Sequence, residues 1–406
     1  MRDGHKPPQR KLIVYRSGPI LAAVDVAGYR DRFPILEETT YLINHSLAAM
    51  PAAAETRVVE YAETWKTRGI RAWGEGWWDL PLTVGDQVGR IVGAPPGTVC
   101  MHQNVTVAVA VVLSCFRLQP PRNRIVYLEG EFPSVRYLLQ AQPEAEVRVV
   151  PDVDALLDEI DERTLLVPLS HVLFKVAELQ DVASVQRRAA EVGAHVILDA
   201  YQSAGAVPLD VTGLGVSFAS GGSVKWLCGG PGAGWLYVRP DLIEELEPAF
   251  VGWQGHARPF AFEPDLEYAD GIARFLTGTP NVPALYAATA GYDVIEEAGI
   301  DAIRRRSLAL TDHLISLADA AGFEVTSQRD QTRRGASVSV RMPGFEGVHK
   351  ELAERQVLCD FRPEVGLRLG PHFFNTEQEL EYAIGQVEDI LATGAHERHL
   401  GAAARF

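Results

Sequence analysis

The sequence predicts an α/β protein with a mostly parallel central sheet, followed by a smaller α+β unit. Three observations carry that expectation. Between residues 124 and 199, short apolar runs alternate with helical stretches of about ten residues, as βαβ units require. One of those runs, His195-Val196-Ile197-Leu198, closes on an acid, Asp199. Active residues of parallel sheets gather at the carboxyl ends of their strands, so an acid there is well placed. Beyond Pro283 the texture changes to long helical stretches and isolated short strands.

Taken in chain order, residues 1–40 read as a loosely structured arm, within an N-terminal segment of residues 1–50. Helical periodicity runs from Ala52 to Arg71. Strands are expected at Arg124–Leu128, Val147–Val150, Leu165–Leu169 and up to Asp199, because each is short, apolar and β-branched. Helices are expected between them at Pro133–Gln142, Val153–Arg163 and Val182–Val192. Together residues 51–285 form the expected large domain. Residues 286–406 form the small one, entered by a helix over Ala284–Ala298. A second helix, Asp301–Ala321, precedes strands at Phe323–Val325 and Ser337–Val340. Helices near His349–Glu354 and Thr376–Thr393 close the chain. No internal repeat or low-complexity segment interrupts this order.

Composition narrows the function classes. The 406 residues are 47% apolar and 22% charged, with a formal charge of −15. So acidic a chain offers no broad phosphate-binding surface, which excludes nucleic acid as a partner class. Four cysteines (Cys100, Cys115, Cys228, Cys359) lack metal or disulfide spacing and read as buried thiols of a reducing compartment. The polar N-terminus has no signal-peptide core, and the apolar run Val105 to Cys115 is too short to span a membrane. A cytoplasmic protein with no membrane contact is expected.

The chemistry centres on Lys225, in Ser223-Val224-Lys225-Trp226-Leu227, before the glycine-rich run Cys228 to Gly234. An acid at the end of one buried strand and a lysine after the next suit pyridoxal 5′-phosphate (PLP). The lysine amine bonds the cofactor's aldehyde, and the carboxylate pairs with the pyridinium nitrogen. Apolar surroundings lower a lysine's pKa and free its amine. The context alone leaves a structural lysine equally open, and Asp199 reads also as a helix N-cap. Gln202 is placed for the cofactor's phenolic oxygen or for a nearby backbone group.

Ordered matches run along nearly the whole chain. They include Tyr41-Leu42-Ile43-Asn44-His45-Ser46-Leu47, Gly76-Trp77-Trp78-Asp79-Leu80-Pro81, Glu131-Phe132-Pro133-Ser134 and Ser170-His171-Val172. Asp199-Ala200-Tyr201-Gln202-Ser203-Ala204-Gly205, Val251-Gly252-Trp253, Phe275-Leu276-Thr277-Gly278-Thr279-Pro280, Asp360-Phe361-Arg362-Pro363 and Leu367-Arg368-Leu369-Gly370 follow. On these the chain resembles the fold-type I PLP enzymes of the class V aminotransferase superfamily, and within it the kynureninases. The resemblance implies that Phe132 stacks on the pyridine ring, where a plain core phenylalanine is the alternative. Gln103 and Asn104 would offer donors to the phosphate at a helix N-terminus. Ser134 would lie near the cofactor or cap a helix. Trp253, Gly278 and Thr279 match the segment that reaches the phosphate of the neighbouring subunit, which implies a homodimer with shared sites. Arg368 would clamp the substrate α-carboxylate, with a surface ion pair as the alternative. His45, Tyr201 and His256 are candidates for the substrate's distal end, or satisfied structural residues.

The chain departs from the kynureninase pattern at four places. Val224 stands where a tyrosine precedes the lysine, Val135 where an aspartate follows Phe-Pro-Ser, Gln202 where a histidine follows the acid, and His45 where an asparagine precedes Ser-Leu. The implied activity is hydrolysis of L-kynurenine, 3-hydroxykynurenine or a related γ-keto amino acid at its Cβ–Cγ bond, giving L-alanine and an acid. Another class V activity (aminotransferase, epimerase or carbon–sulfur lyase) is the alternative. A PLP-fold binding protein without catalysis is a third reading, against which Lys225 and Asp199 argue.

Overall fold

The computed structural model describes residues 26–399. Helix α1 (Val26–Arg30) and the short strand β1 (Thr40–Tyr41) lead to helices α2 (Ala53–Arg68) and α3 (Leu80–Val92). Strand β2 (Val99–His102), helix α4 (Val105–Ser114), strand β3 (Arg124–Leu128), helix α5 (Pro133–Gln140), strand β4 (Glu146–Val150) and helix α6 (Val153–Glu159) follow. The alternation continues through β5 (Thr164–Ser170), α7 (Val182–Glu191), β6 (His195–Asp199), the single turn α8 (Val211–Leu214), β7 (Phe218–Gly222), β8 (Gly234–Val238) and α9 (Pro240–Ile243). Two long helices, α10 (Val282–Ala298) and α11 (Ile300–Ala320), precede β9 (Glu324–Val325), β10 (Val338–Arg341) and α12 (Phe345–Glu354). Strands β11 (Val357–Leu358), β12 (Asp360–Arg362) and β13 (Gly366–Leu369) and helix α13 (Glu377–Thr393) complete the order.

The central sheet runs β2-β8-β7-β6-β5-β3-β4. Every pair from β7 to β4 is parallel, and only β8 runs against its neighbours. The mostly parallel α/β sheet expected from the sequence is the one observed. Alternate residues serve opposite faces, as the two-residue strand period demands. Val126, Leu128, Val167, Leu169, Val196 and Leu198 enter one core, and Ile125, Tyr127, Leu166 and Ile197 the other. With both faces covered by helices, these strands are apolar throughout. A second, antiparallel sheet of four strands, β12-β13-β10-β9, packs against α11, α12 and α13.

Two expectations differ from the structure. The loose arm expected over residues 1–40 is, from Val26 onward, packed chain; residues 1–25 lie outside the described residues. Phe33 and Leu36 are buried, and the Phe33 ring lies 4.2 Å from that of Phe374. Arg30 pairs with Glu379 at 2.9 Å, and β1 pairs in parallel with β11. This stretch is therefore stitched to the C-terminal part of the chain. The helix expected over Val153–Arg163 stops at Glu159. Ile160 turns extended, and Asp161 accepts from Arg163 N and pairs with Arg124. Among the described residues no helix is long and apolar enough to cross a membrane.

Candidate active site

Strand β7 ends at Gly222, and the chain turns at once through Lys225. Ser223 Oγ donates to Ala233 O (2.6 Å) and meets the Tyr292 hydroxyl. Cys228 N donates to Lys225 O at 2.8 Å, with Cys228 itself at φ 53°. A left-handed conformation at a non-glycine residue is uncommon and persists only where the surroundings impose it. Here Gly291 of α10 supplies the surroundings, since a Cβ on it would fall on the Leu227 carbonyl. The Lys225 amine thus leans inward, 5.4 Å from the Phe132 ring centre and 5.2 Å from that of Tyr201. Burial lowers its pKa from 10.5 to about 8, with Asp199 opposing and Arg368 adding to the shift. That puts a substantial share of neutral amine within reach near neutral pH.

Asp199 closes β6 beside Ser220 of β7 and Ser170 of β5. Its Oδ1 accepts from Tyr201 N at 2.9 Å, and residues 201–206 form turns, so it caps no α-helix. Burial pushes this carboxyl up, while the Tyr201 amide and the Lys225 charge pull it back. Sequence reasoning passed over Glu131 nearby. It is buried, with Oε1 accepting from Ser170 N (2.8 Å) and Oε2 paired with Ser170 Oγ (2.5 Å). Burial lifts its pKa to about 8. Glu131 therefore ties the exit of β3, which carries Phe132, to the end of β5. Phe132 then stands edge-on to Phe174, ring centres 5.3 Å apart. The Tyr201 phenol lies over Gly222, where any Cβ would strike it, and accepts from Val105 N at the start of α4.

Arg368 projects from β13 and is almost wholly buried. Its Nε donates to Asp360 Oδ1 (2.8 Å) and its Nη2 to Asp360 Oδ2 (2.5 Å). Nη1 donates to Phe174 O at 2.5 Å. A guanidinium has five N–H groups, so one remains on each terminal nitrogen. The surface ion pair considered from sequence is excluded by this burial. His45, expected toward the substrate, is instead enclosed, its Nε2 3.0 Å from Asp360 Oδ1. Gln202 Nε2 donates to His45 O (3.0 Å), and Gln202 Oε1 accepts from Trp226 Nε1 (3.2 Å). Gln202 thus braces the lysine turn against the His45 segment and retains one N–H.

The remaining candidates fall into two places. Gln103 and Asn104 connect β2 to α4, and Asn104 caps that helix, accepting from Val107 N at 3.1 Å. Ser134 lies in the first turn of α5. Trp253 and His256 form a second group with Gly278 and Thr279. Gly252 N donates to Leu276 O and Gln254 N to Thr277 O, which pins the two segments together. Trp253 meets Trp78 with ring centres 4.9 Å apart. His256 uses both ring nitrogens within its own loop, on Asp265 O (3.1 Å) and Arg258 N (2.9 Å). Gly278 and Thr279 are exposed. Helix α10 begins just after them and backs the Lys225 turn. The donor set around Lys225 fits PLP: a desolvated amine between two aromatic faces, a buried carboxylate one strand away, and a helix N-terminus beside them.

The family model of the class-V aminotransferases matches residues 40–376. The chain is 34% identical to a kynureninase of Pseudomonas fluorescens over 384 residues, covering 90% of this chain and 92% of that one. It is 31% identical to a kynureninase of Burkholderia pseudomallei over 408 residues, covering 96% and 97%. Among solved structures, a cysteine desulfurase from Thermococcus onnurineus superposes with a TM-score of 0.82 at 19% identity, covering 92% of this chain and 99% of that one. The desulfurase CsdA of Escherichia coli gives 0.79 at 21% identity, covering 92% and 100%. These likenesses share the fold, which is fold-type I. The turn at Lys225, the acid at the end of β6 and the match over most of the length agree: the chain belongs to the class-V aminotransferase family and is a PLP-dependent enzyme.

Proposed function

We propose that the protein is a kynureninase-type hydrolase, which cleaves the Cβ–Cγ bond of L-kynurenine, 3-hydroxykynurenine or a related γ-keto amino acid to L-alanine and an acid. The observation that carries this is the Lys225 amine held between Phe132 and Tyr201, with Asp199 one strand away and the Arg368 charge near enough to act on it. Bound PLP supplies the electron sink that labilises bonds at Cα and beyond. Lys225 would hold the cofactor through its amine, and when free would serve as the base and acid for the substrate's Cα proton. Asp199 would pair with the cofactor's ring nitrogen and favour its protonated form. The two remaining N–H groups of Arg368 receive the α-carboxylate end-on. Phe132 and Tyr201 exclude water from the two faces, and a water added at the γ-carbonyl carbon releases the acid.

On this reading residues 51–285 bind the cofactor and residues 286–406 form the small domain. The active unit is a cytoplasmic homodimer acting in amino-acid metabolism, with tryptophan breakdown as its pathway. Trp253, Gly278 and Thr279 serve the neighbouring subunit's phosphate, a role that the exposed position of Gly278 and Thr279 supports. Another class V activity is the second reading, favoured by Val224, which offers no phenol beside the lysine. Within it a desulfurase is disfavoured. Cys100, Cys228 and Cys359 are buried with their thiols pushed far up, and Cys115 is raised to about 12, so none is a ready nucleophile. Incubating the holoenzyme with L-kynurenine and 3-hydroxykynurenine should release alanine, and Lys225→Ala should abolish both this and the cofactor's bound absorbance band. Pyruvate or ammonia from other amino acids, with no alanine from either kynurenine, would establish the second reading instead.

A further inference from the structure

His45 was expected to face the substrate's distal end, yet its ring is fully enclosed. Its one ring partner is Asp360, and Asp360 has two suitors. Arg368 takes both carboxylate oxygens at 2.8 and 2.5 Å, while Arg362 approaches Oδ2 at 3.3 Å from the same strand as Asp360. Oδ1 is the oxygen that Arg368 Nε and His45 Nε2 share. Arg368 grips both oxygens from one side only, so the pair can still pivot together toward Arg362; His45 Nε2 anchors Oδ1 from a second side and opposes that pivot. The fit of the imidazole is built in from three sides. Gln202 holds the His45 carbonyl, Leu42 O accepts from Gly370 N (2.7 Å), and Gly370 leaves room that any Cβ would take from His45 Nδ1. That Nδ1 is buried without a partner, so the ring's only polar engagement is Asp360.

We infer that His45 is a positioning residue: by anchoring Asp360 Oδ1 from a second side it steadies the Asp360–Arg368 pair against the pull of Arg362, and so fixes the direction in which Arg368 offers its two remaining N–H groups to the substrate carboxylate. The inference rests on the reading of Arg368 as the carboxylate site. It also gives the departure at position 45 a function, because the imidazole Nε2 stands three bonds from Cβ and spans the gap to Asp360. A glutamine amide nitrogen stands equally far out, whereas an asparagine amide is one bond short.

The test separates carboxylate recognition from general binding. Holoenzyme is titrated spectrophotometrically with L-alanine and with ethylamine, which shares the amine and lacks the carboxylate. His45→Leu and His45→Asn should weaken L-alanine by about tenfold, the loss of one charge-assisted hydrogen bond's worth of orientation. Ethylamine should change by less than about twofold. His45→Gln should restore L-alanine to near the parent value. Arg368→Gln tests the underlying reading, and should weaken L-alanine far more than ethylamine. If it does not, Arg368 is not the carboxylate site. If Arg368→Gln behaves as stated while both His45 variants weaken the two ligands equally, or neither, His45 is a packing residue and the inference is overturned. Two loss variants of different volume keep the test valid if one fails to fold.

Discussion

Lys225 is the residue whose environment has the most direct consequence. Burial holds its folded-state pKa near 8, against 10.5 for the free side chain. Only the neutral amine attacks an aldehyde, so cofactor capture by the apoprotein should speed up as pH rises to about 8 and then level off. A capture rate, followed by absorbance, that kept climbing toward 10.5 would show that the amine is not desolvated. The stability of the apoprotein should follow the same shift. Between the lowered folded value and the unfolded value the unfolded chain binds more protons, so stability rises with pH across that window. The cost of burying the amine is complete below about pH 8 and fades toward 10.5. Much of this site was legible in the sequence. Lys225 and Asp199 could be read from their places after buried strands, whereas Phe132 and Arg368 were reached through the family resemblance. Glu131 and Asp360 were not read as site residues, because their meaning lies in partners on other strands. Glu131 acts on Ser170, 39 residues away, and Asp360 on His45, 315 residues away. His45 and Gln202 were legible as neighbours of the site but not as braces within it, since a side chain's direction is set by packing.

The elements that hold the site depend on glycines at close approaches. Gly222 ends β7 directly under the Tyr201 ring, which in turn reaches the first amide of α4. Gly222→Ala should therefore displace Tyr201 and release the cofactor on dialysis, measured as lost absorbance. Gly222→Ala combined with Tyr201→Ala should release it no faster than Tyr201→Ala alone, because the obstruction is gone and only the loss of the aromatic face remains. Full retention by Gly222→Ala alone would mean that the phenol does not sit against this strand. Helix α3 shows why some elements escaped the sequence. Its run Leu80-Pro81-Leu82-Thr83-Val84-Gly85-Asp86-Gln87-Val88-Gly89 carries a proline and two glycines, which read as turn punctuation. Pro81 is at the helix's first turn, where it is tolerated. Gly85 is there because a Cβ would fall on the Val99 carbonyl of β2. The composition that hides the helix is what lets it pack on the strand. By contrast β3, β5 and β6, buried on both faces, could be read directly as apolar runs.

At the scale of the whole molecule, several large apolar side chains of the described chain are exposed, two of them beside the second group of candidates. Trp65, Ile70, Phe260 and Phe262 are exposed, and Phe260 and Phe262 pack on Trp253, the neighbour of the Gly278–Thr279 segment. Contiguous exposed aromatics call for a covering partner. The proposed homodimer would meet that need, and would give the exposed Gly278 and Thr279 the phosphate role proposed for them. On the proposed homodimer, closed two-fold pairing would give each dimer two sites, each built from the lysine of one subunit and the Gly278–Thr279 segment of the other. This arrangement has an arithmetic consequence. Take one inactive chain with Lys225→Ala and another with Gly278→Asp, mixed in equal amounts under conditions that exchange subunits. Half of the dimers become mixed, and in each mixed dimer one site collects both lesions while the other has neither. Activity should return to about a quarter of the parent level from two inactive parents. If exchange is demonstrated by mass and no activity returns, each site is complete within one chain, and the exposed aromatic surface must serve some other contact.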